Sequence, residues 1–208
     1  MRRRACALIC LCTALALSMA AHAAVWTVEH DVVVRREGEA STEVRGPEDV
    51  RALAPRSDGG TWLLAAGGMW AITADGDVEL HFDPAARGLG SAERLAADPY
   101  DGSAWLSTDA PLLLHVARGG ALLHGTSLAA SAAALATDLA GAAWVVAGPM
   151  LIHYGHDGRA IATRPLELAR DENATALAID AIHGRIWLGT TAALYYLSTE
   201  DGSTLPTP

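Results

Sequence analysis

The chain has 208 residues, 51% of them hydrophobic, and a formal charge of −9 at neutral pH, and all 15 of its basic residues are arginine. An acidic chain without basic clusters repels a phosphate backbone, which tells against nucleic-acid binding. The residue count suits one domain with a substantial core.

In chain order, Arg2, Arg3 and Arg4 precede an apolar run from Ala5 to Ala20, which ends in Ala21-His22-Ala23-Ala24. A basic start, a hydrophobic stretch and a small-x-small end predict a secretory signal peptide over residues 1–23, cut after Ala23. An uncleaved anchor is the alternative, because the apolar run is nearly long enough to span a bilayer. Cleavage would leave residues 24–208, with no later membrane span, in the periplasm or outside the cell. It would also remove Cys6, Cys10 and Cys12, the only cysteines, so the mature chain would have no disulfide and no thiolate ligand.

From residue 25 onward the chain repeats. "LAPRSDGGTW" ends at Trp62, "LAADPYDGSAW" at Trp105, "LATDLAGAAW" at Trp144 and "LAIDAIHGRIW" at Trp187. Each segment has a glycine three residues before its tryptophan: Gly59, Gly102, Gly141 and Gly184. After the tryptophan a glycine turn returns at Gly76, Gly119, Gly158 and Gly202, and three of the four read Asp-Gly. A partial copy, "VWTVEHDVVVRREGE", carries Trp26 and Gly38. In each copy Leu-Ala forms a first strand, the tryptophan opens a second, an apolar run makes a third and the Asp-Gly hairpin leads to a fourth. Four antiparallel strands in about 40 residues is the size of one β-propeller blade.

The expected fold is therefore all-β: a propeller of four to five blades of four antiparallel strands, with an incomplete ring as one option. The expected units are a partial blade over 25–45 and blades over about 49–87, 92–128, 132–168 and 174–202. Ala54, Ala96, Ala136 and Ala178 would line a narrow hub, and the tryptophans would wedge between neighbouring sheets. Two Ala- and Leu-rich stretches, "AARGLGSAERLAA" and "GALLHGTSLAASAAALATDLAG", have helical propensity. Each runs into Leu-Ala at the repeat offset, so strands are expected there. The copies leave the ring either closed by an N-terminal strand or open as an arc, the arc being favoured. An open arc exposes apolar blade faces and calls for a partner chain.

With a core that reads roughly D-x-x-G-x-x-W-[LIV], residues 25–202 resemble the NHL, two-component-regulator-propeller and SMP-30/streptogramin-lyase families. The resemblance implies a propeller. Its lactonase and lyase members imply a divalent metal at the axis, but no residue here matches their motifs one by one.

The chemistry-bearing residues are sparse. His81, His115, His124, His153, His156 and His183 follow the blade spacing rather than a ligand motif. The closest informative pair is His153 and His156, beside Asp157. Glu167, Arg170, Asp171, Glu172 and Asn173 form a polar loop of the kind that lines a propeller's ligand face, where oxygen ligands can hold Ca²⁺. A solvated loop is the simpler reading. Trp70 falls outside the repeat register, either as core or as a sugar-stacking surface. No catalytic, cofactor or metal residue is assigned. The expectation is an exported binding or interaction module for a protein, small-molecule or carbohydrate ligand, forming the N-terminal part of a larger surface or periplasmic protein. A metal-dependent lactonase or lyase is the alternative.

Overall fold

A computed structural model describes residues 24–29, 32–44 and 46–200. The segment expected to be a signal peptide and the Asp201-Gly202 turn lie outside the described residues. The strands form five antiparallel meanders, numbered here as blades 1 to 5. Blade 1 holds β1 (Val25–Glu29), β2 (Val32–Glu37) and β3 (Ala40–Val44). Blade 2 holds β4 (Ala52–Pro55), β5 (Thr61–Ala65), β6 (Gly68–Ile72) and β7 (Val78–Phe82). Blade 3 holds β8 (Ala92–Ala97), β9 (Ala104–Thr108), β10 (Leu112–Val116) and β11 (Leu122–Ser127). Blade 4 holds β12 (Ala132–Thr137), β13 (Ala143–Ala147), β14 (Met150–Tyr154) and β15 (Ala160–Pro165). Blade 5 holds β16 (Ala174–Asp180), β17 (Arg185–Thr190) and β18 (Leu194–Ser198).

Innermost strands pack on one another, β4 on β8, β8 on β12 and β12 on β16, so the blades fan around one axis. The fold is a β-propeller whose ring is not closed. Both Ala-rich stretches are strands, as the repeat register predicts. In the first, only a 3₁₀ turn at Ala85–Arg87 interrupts the path to β8. Tertiary pairing outweighs helical propensity there.

The second strands of blades 2, 3 and 4 are buried on both faces, which explains their apolar runs. Along β5, side chains alternate between two seams. Trp62 and Leu64 join Ala104, Leu106 and Leu114 of blade 3, whereas Leu63 joins Trp26, Val33 and Val44 of blade 1. Trp105 packs likewise with Ala143, Val145 and Tyr154 of blade 4, and Trp144 with Ile186 and Leu188 of blade 5. Each inner-strand alanine faces its own blade's tryptophan across the ladder: Ala54 and Trp62, Ala96 and Trp105, Ala136 and Trp144, Ala178 and Trp187. A methyl group there leaves room for the indole.

The glycine three residues before each tryptophan has a second role. At Gly59, Gly102 and Gly141 the backbone is left-handed, with φ of 85°, 76° and 80°. Each of these carbonyls accepts the indole N–H of the preceding blade: Trp26 to Gly59 at 3.1 Å, Trp62 to Gly102 at 3.0 Å and Trp105 to Gly141 at 2.9 Å. The tryptophans thus fasten blade to blade as well as filling the seam. The series ends at Trp144, whose N–H turns to its own blade's Asp138 at 3.3 Å. The Gly184 carbonyl takes the Thr199 amide instead.

Two sequence readings are corrected. The glycine of the third-to-fourth-strand turn in blade 3 is Gly120, with φ 82° and its N–H on the Ala117 carbonyl, not Gly119. The alanine-lined hub is only partly closed. Ala54 and Ala96 are buried, Ala136 is half-buried and Ala178 is exposed, because blade 5 is the end of the arc. Trp187 is half-buried for the same reason.

Candidate functional site

An antiparallel meander sends alternate turns to opposite ends of the strands, so the propeller has two loop faces. One carries the second-to-third-strand turns and the connections between blades. The other carries the first-to-second and third-to-fourth-strand turns, where the repeated glycines lie.

On the first face a cleft of about 570 Å³ opens between blades 4 and 5. Ala130, Ser131, Pro149, Leu168, Arg170 and Asn173 are among its lining residues. The loop singled out in the sequence as a candidate ligand loop is thus one wall of the cleft. Its acids do not converge into a cation cage. Glu172 accepts hydrogen bonds from the Thr190 hydroxyl, from Tyr195 Oη at 2.9 Å and from the Ala169 amide at 3.2 Å. The Thr190 bond, helped by Tyr195 and Ala169, outweighs desolvation and holds the Glu172 carboxyl below its usual range. Glu172 anchors the loop to blade 5, leaving Arg170 and Asn173 exposed at the rim.

On the opposite face, at the seam of blades 3 and 4, four titratable side chains meet. Asp98 follows β8 and is fully buried, with Oδ1 accepting the Tyr100 amide at 2.7 Å. Its Oδ2 lies 3.0 Å from Nε2 of His156, which stands on the β14–β15 turn of blade 4. Asp101 Oδ2 lies 3.1 Å from the same nitrogen. His115, on β10, is also fully buried. It stacks on Trp105 at 4.0 Å, presents an edge to His156 at 4.6 Å and shares a 2.7 Å hydrogen bond with the Ser103 hydroxyl. Ligand atoms of Asp98, His115 and His156 fall within 4.8 Å of one another, a set that can hold a metal ion.

Burial, with a smaller contribution from the neighbouring His156 charge, pushes the His115 imidazole down to about 4 against the pull of Asp101. It is neutral at physiological pH. Burial alone would raise Asp101. The Ser103 hydroxyl and amide, with the two imidazoles, outweigh that and hold it below its usual range.

Among the described residues the other histidines do not join this cluster. His153 stacks on Trp144 at 4.0 Å with Nε2 3.4 Å from Asp138, inside blade 4. His81 stacks on Trp70 at 3.9 Å and bonds the Gly67 carbonyl at 2.8 Å. His183 pairs with Asp180 at 2.7 Å on an exposed turn. His124 lies opposite His115 across the ladder, its ring 6.1 Å away. The sequence pair His153 and His156 is split, each serving a different blade. Asp98, Asp101 and Ser103 were missed altogether. The one signal available was positional: Asp98 stands where blade 2 has Arg56.

No protein-family model matches the chain, and no curated protein is similar to it in sequence. Among solved structures it is similar to a catalytically inactive virginiamycin B lyase from Staphylococcus aureus with quinupristin, at TM-score 0.65 and 12% identity over 82% of this chain and 60% of that one. It is also similar to Sqt1 of Saccharomyces cerevisiae, at TM-score 0.66 and 11% identity over 88% and 57% of the two chains. A third is the extracellular domain of the hybrid two component system BT4673 from B. thetaiotaomicron, at TM-score 0.65 and 18% identity, covering 90% of this chain and 26% of that one. At these identities the likeness is one of fold, the β-propeller. This chain spans 60% of the lyase's length and smaller shares of the other two.

Proposed function

We propose that the chain is an exported β-propeller module that binds a protein, small-molecule or carbohydrate ligand in the cleft between blades 4 and 5. The cleft carries the reading, since its lining joins apolar groups at Pro149 and Leu168 to polar groups at Arg170 and Asn173. Export is supported by the signal-like start of the sequence and by the extracellular origin of one similar fold. Among the described residues no helix is long and apolar enough to cross a membrane. The open ring supports a role as the N-terminal part of a larger surface or periplasmic protein, whose remaining blades or partner chain cover the end of blade 5.

Two experiments test this. The full chain is expressed in a Gram-negative host and fractionated; the periplasmic product should have the mass of a chain starting at Ala24, retention of residues 1–23 in a membrane fraction would overturn cleavage, and protein found only in the cytoplasm would overturn export. Purified protein is then screened against immobilised oligosaccharides and peptides, with Ala130→Trp as the variant that fills the cleft. Binding should disappear in the variant while its circular dichroism stays unchanged; binding that survives the tryptophan places the ligand elsewhere.

A metal-dependent lactonase or lyase is the second reading, supported by the fold shared with virginiamycin B lyase. It ranks lower because the His/Asp cluster that converges is built largely on third strands and turns at a seam, not on the innermost strands. Chelator-sensitive hydrolysis of any member of a lactone panel would reverse that order.

A further inference from the structure

The seams between blades 2 and 3 and between blades 3 and 4 are built from equivalent positions, but their charges differ. At the first seam Arg56, with its side chain fully buried, bonds Asp58 at 2.6 Å and Glu79 at 2.8 Å. Arg118, on the β10–β11 turn, reaches back to Asp58 at 2.7 Å. Two guanidinium groups therefore face two carboxylates. One blade further on, Asp98 takes the place of Arg56, Asp101 that of Asp58, and His156 that of Arg118. No arginine stands at either corresponding position. Two carboxylates now meet two imidazoles, one of them in a fully buried side chain.

That arrangement lacks the two permanent guanidinium charges of its neighbour, and it has donors of the right kind to accept a cation. Imidazole nitrogen with carboxylate oxygen is the ligand chemistry of zinc and similar divalent transition ions. Ligands about 2.1 Å from a tetrahedral ion lie about 3.4 Å from one another. The observed separation from His156 Nε2 to Asp98, 3.0 Å, needs only a small expansion to admit one, and the ligand atoms of Asp98, His115 and His156 all lie within 4.8 Å of one another. Independently of that distance match, His115 Nδ1 is buried without a hydrogen-bond partner. An orphaned buried nitrogen costs stability unless something else uses the ring. Gly141 also keeps the pocket clear, because a Cβ there would fall 2.0 Å from Asp98 Oδ2.

We propose that Asp98, His115 and His156 bind one divalent transition-metal ion, zinc being the fitting occupant, with Asp101 adding negative charge beside His156, and that the ion pins blade 4 to blade 3. It would replace the paired arginines of the preceding seam. It would also act as a cross-link in a chain whose cysteines all lie in the expected signal segment. The site is on the opposite loop face from the cleft, so it stands or falls separately from the binding reading.

The test uses the untagged full chain, stripped with chelator and titrated with Zn²⁺ by calorimetry. One ion per chain should bind, chelator should reverse it, and saturating Zn²⁺ should raise Tm by about 5–10 °C. Co²⁺ should give visible d–d bands of tetrahedral intensity. His156→Ala, on an exposed turn, should weaken Zn²⁺ at least about 100-fold and abolish the Co²⁺ bands, and Asp101→Asn should weaken it less and keep the bands. His153→Ala should leave both intact. Absence of stoichiometric binding to the wild-type chain overturns the proposal, as does binding that His156→Ala leaves unchanged.

Discussion

Replacing Trp105 by alanine removes one of the two seam tryptophans that are fully buried and bonded to the next blade. The side chain is fully buried, packs against Ala143, Val145 and Tyr154 of blade 4, and donates to the Gly141 carbonyl at 2.9 Å. Truncating a buried aromatic to alanine costs about 3–5 kcal/mol. Leaving the Gly141 carbonyl without its donor adds about 1 kcal/mol. The sum is a large fraction of the roughly 5–15 kcal/mol that holds a domain folded. With a urea slope of about 2 kcal/mol/M, the midpoint should fall by about 2–3 M. Trp187→Ala is the internal control, since that ring is half-buried at the end of the arc and belongs to none of the seam clusters. It should cost about half as much. Urea melts followed by far-UV circular dichroism measure both. Equal losses, or a loss below about 1 kcal/mol for Trp105→Ala, would refute the claim that the seams hold the blades together.

Three further outcomes follow from local geometry. Gly141→Ala meets a left-handed φ of 80° and a clash with Asp98, whereas Gly38→Ala meets φ 58° but open space; the first should lower Tm clearly more than the second, and equal shifts would contradict the packing described. Asp58 would be raised by burial, yet the Arg56 and Gly60 hydrogen bonds and the Arg56 and Arg118 charges outweigh this and lower it from 3.8. Its contribution is therefore complete above the unfolded value and lost as pH falls through the lower folded one. The stability gap between wild type and Asp58→Asn should stay constant from about pH 7 to 5 and close below about pH 4; a gap that persists at pH 2 would contradict this. Arg118→Ala, whose side chain is 54% exposed, should cost no more than about 1 kcal/mol in the same melts.

The repeat was legible because it is written in residues with few substitutes: alanine opposite indole, glycine where φ is positive, and tryptophan where a seam needs volume. Val78–Phe82 and the strand through Ile161–Pro165 could be placed from the hairpin turns before them. The blade-to-blade hydrogen bonds could not be read, since a carbonyl acceptor leaves no mark on the sequence beyond the glycine already needed for the turn. The Asp98 cluster was hidden for another reason. Its members lie on two blades, and His115 and His153, which share a stacking place on Trp105 and Trp144, look alike in sequence while differing in their surroundings. What distinguishes the two seams is the exchange of Arg56 for Asp98 and of Arg118 for His156, together with His115 where blade 2 has Ala71.

Hydrogen exchange at the indole N–H groups, read by NMR with each resonance assigned from a Trp→Phe variant, tests the architecture most directly. Trp26, Trp62 and Trp105, each bonded to the next blade's glycine carbonyl, should exchange far more slowly than Trp187. If all four exchange alike, the indoles do not fasten neighbouring sheets, and the propeller account is wrong.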